Sequence, residues 1–256
     1  MKTIQKTAIA LAASGLFATA AYAQSAPAAA PEVSPVTANV TVTNDYRYRG
    51  ITQTNYMPAI QGGFDYAHES GLYIGNWNST ISWIGDNQTG MTAPLEMDFY
   101  GGFKKELIGE GFASDFGVLQ YYYPTKGNFT SIQNPNTTEL YVAQNFTFGP
   151  LTGFAKVSYA LTPLFGTPNS SGSMYPDLTM NYDTGFWGIS LNGHVGYQYV
   201  AGQPATSSGW GASTPNNISY TDWKIGATKD FGGGLSLAAS YVSTNANPNW
   251  WSTYTG

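Results

Sequence analysis

The sequence predicts an all-β fold, a transmembrane antiparallel up-and-down β-barrel of about twelve strands. Three observations predict it. Eleven short segments between Ala38 and Thr244 alternate apolar residues with polar or small ones. The connections between them alternate long and short. The chain holds 19 Tyr, 13 Phe and 7 Trp but only 10% charged residues, whereas soluble domains carry about a quarter. A strand turns successive side chains to opposite faces, so strict alternation calls for one oily and one wet surface. Outer-membrane barrels supply both, with tight turns at one rim and longer loops at the other.

At the amino terminus, Lys2 and Lys6 precede an apolar run from Ala8 to Ala21, and Ala21-Tyr22-Ala23 precedes Gln24. Basic, apolar and small-residue regions in that order read as a secretory signal peptide over residues 1–23. No stretch reaches the roughly 18 to 20 consecutive apolar residues of a helical span, so any crossing of a membrane falls to strands. Residues 24–35 read as an Ala/Pro-rich periplasmic leader with little to bury, and residues 36–256 as the barrel. Cysteine is absent, which excludes disulfides and cysteine metal sites. Without the two signal lysines, eight basic residues face fifteen acidic ones and the net charge moves from −5 to −7. That balance argues against nucleic acid as a partner.

The first segment puts Ala38, Val40, Val42, Tyr46 and Tyr48 toward lipid and Asn39, Thr41, Thr43, Asp45, Arg47 and Arg49 toward the lumen. The second, Ala59 to His68, is interrupted by Gly62 and Gly63. In the third, Tyr73, Gly75, Trp77, Ile81 and Trp83 form the lipid face against Asn76, Asn78, Thr80 and Ser82. The fourth sends Leu95, Met97, Phe99 and Phe103 outward and Glu96, Asp98, Tyr100 and Lys104 inward; a one-residue slip would drive the carboxylates into lipid. The fifth and sixth place Phe116, Val118 and Tyr122, then Leu140, Val142, Phe146 and Phe148, on the outer face. Asp115, Tyr121 and Tyr123, then Glu139, Asn145 and Thr147, lie on the inner one. In the seventh, Ala155, Val157, Tyr159 and Leu161 oppose Lys156 and Ser158. The eighth and ninth set Leu178, Met180 and Tyr182 against Asp177 and Asn181, and Trp187 to Tyr199 against Ser190, Asn192, His194 and Gln198. In the tenth, Trp223, Ile225, Ala227 and Phe231 oppose Asp222, Lys224, Thr228 and Asp230. In the eleventh, Leu235, Leu237 and Tyr241 oppose Ser236, Ser240 and Thr244.

Connections 50–57, 85–94, 124–137, 162–173 and 200–218 are long and polar, while 69–71, 149–151, 184–185 and 232–234 are short. Segment 105–113 is longer than its short-turn place predicts. With the amino terminus in the periplasm, every long loop falls outside. Eleven strands do not give the even count of single-chain bacterial barrels. The expectation is a twelfth strand that is missing through truncation, with a short strand from the final eight residues, Asn249 to Gly256, as the alternative.

Residues 38–83 carry Asn44-Asp45-Tyr46-Arg47-Tyr48-Arg49-Gly50-Ile51-Thr52-Gln53, Pro58-Ala59-Ile60-Gln61-Gly62-Gly63-Phe64-Asp65-Tyr66 and Ser70-Gly71-Leu72-Tyr73-Ile74-Gly75-Asn76-Trp77. This stretch resembles the TorF porin family of Gram-negative bacteria. The resemblance implies an outer-membrane barrel with a transport role, and it supplies no substrate and no catalytic residues. Family members finish on a strand ending in an aromatic residue, whereas this sequence finishes on Tyr254-Thr255-Gly256.

The candidate lumen-lining set is Arg47, Arg49, Glu96, Asp98, Glu139, Lys156, Asp177, Asp222 and Lys224. Charges on a low-dielectric wall select ions and orient dipolar solutes; the same charges are equally able to pair and fill a narrow barrel. Inward Tyr100, Tyr121, Tyr123 and Tyr175 read as sugar-guiding surfaces or as fillers. Only His68 and His194 are present, and neither a G-x-S-x-G nor an H-E-x-x-H motif occurs. No catalytic residue, metal or cofactor is therefore assigned. Gly232-Gly233-Gly234 reads as a hairpin turn rather than a phosphate cradle.

The expected function is that of an outer-membrane porin passing small hydrophilic solutes or ions by passive diffusion. The expected partners are outer-membrane lipids and the barrel-assembly machinery. The alternatives are an adhesin or receptor acting through external loops, where 200–218 carries Trp210, and, further off, a barrel hydrolase.

Overall fold

The computed structural model describes residues 34–88, 90–129, 133–201 and 218–247. The expected signal peptide, all but the end of the leader, Trp210 and the final eight residues lie outside the described residues. The strands are β1 (Val36–Thr43), β2 (Arg47–Tyr48), β3 (Ile51–Thr52), β4 (Ala59–Ala67), β5 (Leu72–Thr80), β6 (Leu95–Gly109) and β7 (Phe112–Tyr122). They continue with β8 (Thr137–Phe148), β9 (Leu151–Ala160), β10 (Met174–Asp183), β11 (Ile189–Gln198), β12 (Tyr220–Gly232) and β13 (Leu235–Thr244). A five-residue helix, α1 (Trp83–Asn87), and a single helical turn at Leu164–Gly166 sit in two of the long loops. No helix among the described residues is long and apolar enough to cross a membrane.

Eleven strands form one antiparallel sheet in the order β1-β4-β5-β6-β7-β8-β9-β10-β11-β12-β13, while β2 and β3 pair only with each other. The edge strands β1 and β13 are not hydrogen-bonded to one another, so the architecture is an eleven-stranded up-and-down meander with an open seam. Short connections all fall at one end. At Gly233-Gly234 both residues take positive φ, 64° and 87°, the left-handed pair that lets a two-residue hairpin follow the strand twist. The segment 105–113 is not a long loop: β6 runs on to Gly109 and β7 begins at Phe112, with a register shift between Glu106 and Gly109.

The distribution of polarity is the reverse of a soluble fold. Val40 is 78% exposed and Val42 75%, whereas Asp98 is 0%, Asp222 1% and Glu139 2%. Carboxylates this deeply enclosed lie on the inside of a sheet that curls and turns its polar face inward.

Four sequence expectations are corrected. The first strand does not continue to Arg49: it stops at Thr43, and Tyr46, placed on the lipid face by alternation, is only 3% exposed. The loop expected to project outward at 50–57 instead folds into the concave face. The third segment is in the opposite register, with Leu72 and Ile74 outward at 58% and 61% and Tyr73 and Trp77 inward at 7% and 6%. Alternation could not decide there because both faces of β5 carry large apolar groups. The decision comes from partners: Tyr73 OH donates to Asp115 Oδ1 at 2.6 Å. Outward Asn76 is satisfied by donating to the Asp98 carbonyl at 2.9 Å. In the ninth segment, Trp187 belongs to a turn, with φ 53°, and β11 begins two residues later.

Tyrosine rings on the concave face lie across glycines of the neighbouring strand. A Cβ at Gly75 would sit 2.3 Å from the Tyr100 ring, one at Gly102 2.6 Å from Tyr73 Oη, one at Gly117 2.4 Å from Tyr141, and one at Gly196 2.1 Å from Tyr175. Gly75 and Tyr100 are direct cross-strand partners, as are Gly102 and Tyr73, and Gly117 and Tyr141. The ring covers the backbone that glycine leaves bare, a known device for glycine in sheets. Gly75→Val therefore displaces Tyr100 and is expected to cost about 1–3 kcal/mol by overpacking. Gly193→Val, where a Cβ meets nothing within 4 Å, serves as the control. Thermal unfolding midpoints of both variants check this: a lowered midpoint for Gly75→Val and a near-native one for Gly193→Val.

Candidate functional site

The segment from Asn44 to Pro58 is built around Asp45. Its carboxylate accepts from Arg47 Nε at 2.7 Å, from Thr54 Oγ1 at 3.3 Å and from Thr52 Oγ1. The Tyr46 amide donates to Thr54 Oγ1 at 3.1 Å and the Gln53 amide to the Tyr46 carbonyl at 2.7 Å. These contacts close the chain into the small β2–β3 hairpin, whose two-residue turn is Arg49-Gly50. Both turn residues have positive φ, 46° and 79°, as a type I′ turn requires. Only glycine fits at the second position: a Cβ on Gly50 would sit 2.6 Å from Asp222 Cβ and 2.9 Å from Thr244 Cβ.

The hairpin meets almost the whole concave face. Tyr46 Oη donates to Glu96 Oε1 at 2.7 Å, and Tyr123 Oη donates to the other Glu96 oxygen at 2.8 Å. The Tyr48 and Tyr121 hydroxyls share a bond of 2.5 Å, and Tyr121 Oη donates to Glu139 at 3.4 Å. Arg49 Nη2 donates to both Glu139 oxygens, at 3.0 and 2.7 Å, and Nη1 to Gln198 Oε1 at 2.6 Å. Its guanidinium lies over the rings of Tyr48 at 4.8 Å and Tyr175 at 4.2 Å. Ile51 packs with Tyr220 and Ala246. One short segment thus joins β6, β7, β8, β10, β11 and β12.

Electrostatics favour this seating. Burial pulls the Arg49 guanidinium down, but the Glu139 carboxylate and the neighbouring Tyr48 and Tyr121 hydroxyls together hold the group well above its ordinary value, so the charge stays. Burial, together with the negative charge of Glu96, pushes the Tyr46 hydroxyl upward and keeps it a donor.

A second tier lies deeper. His194 Nε2 meets Asp222 Oδ1 at 2.8 Å and Nδ1 meets Asp177 Oδ1 at 3.0 Å. Tyr175 Oη donates to Asp222 Oδ2 at 2.8 Å, and Lys156 Nζ stands 3.6 Å from Asp177 Oδ2. Lys224 is the cross-strand partner of His194. Among the nine candidate lumen residues, Arg49 and Glu139 are in direct contact, as are Lys156 and Asp177, and His194 bridges Asp177 to Asp222. Arg47 does not reach the wall; it binds Asp45. Asp98 is fully buried, and neither carboxylate oxygen has a hydrogen-bond partner. No group of acidic or histidine residues suited to a metal ion occurs among the described residues.

Sequence reasoning missed Tyr46, Tyr48 and Gln198 as parts of this constellation. The available signal was Arg49-Gly50, a two-residue turn candidate between alternating residues, which strict strand alternation overrode. Asp45→Ala removes the acceptor of three donors and is expected to cost about 2–4 kcal/mol as the hairpin loosens and Arg47 loses its partner. Hydrogen exchange confined to residues 44–58 checks it: faster exchange there with the strands unaffected is the expected result.

No curated protein matches the chain. A family model does match, over residues 26–256, for Gcw_chp, described as a bacterial protein of unknown function. That match takes in the whole sheet and the inward hairpin, and the chain belongs to the Gcw_chp family.

Proposed function

We propose that this protein is a β-barrel of the bacterial outer membrane that passes ions and small hydrophilic solutes through a lumen narrowed by residues 44–58. The observation that carries the reading is the inverted polarity of the sheet. Val40, Val42, Ile60 and Ile74 stand 61–78% exposed around the outside, while Glu96, Asp98, Glu139 and Asp222 stand at most 2% exposed within. Water gives no reason for that arrangement, whereas a hydrocarbon surround gives one. The resemblance of residues 38–83 to TorF porins supports the same reading, as does the gathering of the short hairpin turns at one end of the sheet.

Closure of the seam is part of the proposal. Unpaired edges in lipid cost several kilocalories per mole for each exposed backbone group. The contacts of Gly50 with Thr244, and of Ile51 with Ala246, bring the end of β13 against the segment that follows β1. Both ring nitrogens of His194 face carboxylates, an arrangement that favours a fixed charge partner over a general base serving a nucleophile.

Planar-bilayer recording on the purified protein tests the reading. A small steady conductance is expected, rising several-fold when residues 46–53 are replaced by a Gly/Ser linker of equal length. Arg47→Gln with Arg49→Gln is expected to shift selectivity toward cations. Absence of current at any voltage, in both wild type and the linker variant, would contradict it.

A further inference from the structure

We infer that the niche in the concave wall that holds Arg49 is a binding site for guanidinium-bearing solutes, with Arg49 as its built-in occupant. Three of the four groups that grip the guanidinium come from the wall rather than from the hairpin. Glu139 on β8 takes Nη2 with both oxygens, Gln198 on β11 takes Nη1, and Tyr175 on β10 offers its ring face at 4.2 Å. Only Tyr48 travels with Arg49. The wall groups are also pre-set: Gln198 Nε2 donates to the Met174 and Tyr199 carbonyls at 3.3 and 3.1 Å, which aims Oε1 inward. A planar cation with donors on two separate nitrogens, slotted against an aromatic face, is the shape these groups accept; a point-like ammonium does not span them.

The supply of unfilled acceptors supports the same class of ligand. Glu96, Asp98 and Glu139 lie together in the upper tier, each at most 2% exposed. Among the described residues, Arg49 is the only cation hydrogen-bonded to any of them. Both Asp98 oxygens lack a donor, so the tier carries more carboxylate than the hairpin satisfies. The hairpin is also held in place against its own backbone preference. Arg49 sits at φ 46°, a left-handed region that non-glycine residues rarely occupy. A solute that supplies the same guanidinium displaces Arg49 without that strain. Access of solute from outside rests on the lumen reading above, whereas occupancy of the niche does not.

The test uses full-length Arg49→Ala in detergent micelles. Its thermal midpoint is expected to fall by about 10 °C, as for loss of one partner of a buried ion pair in a domain of this size. Methylguanidinium at millimolar concentration is expected to restore at least half of that loss, and methylammonium at equal ionic strength is not. Glu139→Gln in the Arg49→Ala background is expected to abolish the recovery. If Arg49→Ala is obtained only unfolded, refolding into micelles with either cation decides the same question: folded yield with methylguanidinium alone supports the site. Equal effects of the two cations, no effect of either, or recovery that survives Glu139→Gln would overturn it. None of these readouts needs current, so a protein that binds methylguanidinium yet never conducts keeps the site and loses the pore.

Discussion

The buried contact between Arg49 and Glu139 is the constraint on which the seating of the hairpin against the wall depends. A sheet whose concave face carries carboxylates, tyrosines and amides has two ways to satisfy them: water, or other protein groups. Here the chain sends in its own polar hairpin, and Arg49 neutralises Glu139 while its neighbours Tyr46 and Tyr48 reach Glu96 and Tyr121. Removing either charge of such a pair strands the other in low dielectric, which is why a single contact controls a whole tier. Asp45 gives the hairpin its shape, and Gly50 lets it approach β12 and β13 closely enough to touch the seam.

The strands were largely legible because alternation is a local signal. β6, β8 and β12 put Glu96, Asp98, Glu139 and Asp222 inward as the pattern requires, since a one-residue slip would reverse every charge. β5 was not legible, because Leu72 and Ile74 alternate with Tyr73 and Trp77, and apolarity alone gives no direction. Its register depends on a hydroxyl finding Asp115 two strands away and on Gly75 lying beneath Tyr100. Such contacts are set by tertiary structure and leave no mark on a sliding window. The same applies to Tyr46 and Tyr48, which fit a lipid face by periodicity and reach the interior only because the chain turns at Asp45. The resemblance to TorF porins indicated a barrel and a transport role, and the chain's family, Gcw_chp, has no known function to add.

Glycine and tyrosine share the work of making the sheet curl. Where Gly75, Gly102, Gly117 and Gly196 leave the backbone uncovered, Tyr100, Tyr73, Tyr141 and Tyr175 lie over it with their hydroxyls free to reach a carboxylate or a second tyrosine. Tyr175 belongs to both systems: its ring covers Gly196 and faces Arg49, while its hydroxyl donates to Asp222. It links the upper tier around Glu139 to the lower tier around His194. The two tiers are thus joined in one polar network, with the hairpin inserted at the end of the sheet opposite the short turns.

The hairpin is fixed to the wall through Arg49 and Glu139 rather than resting beside it. The most direct measurement is the coupling energy from a double-mutant cycle of Arg49→Ala and Glu139→Ala, read by reversible unfolding in detergent. A buried, hydrogen-bonded charge pair predicts a coupling of about 2 kcal/mol or more, with the double variant less destabilised than the two single losses combined. Additive losses, with coupling below about 0.5 kcal/mol, would contradict it.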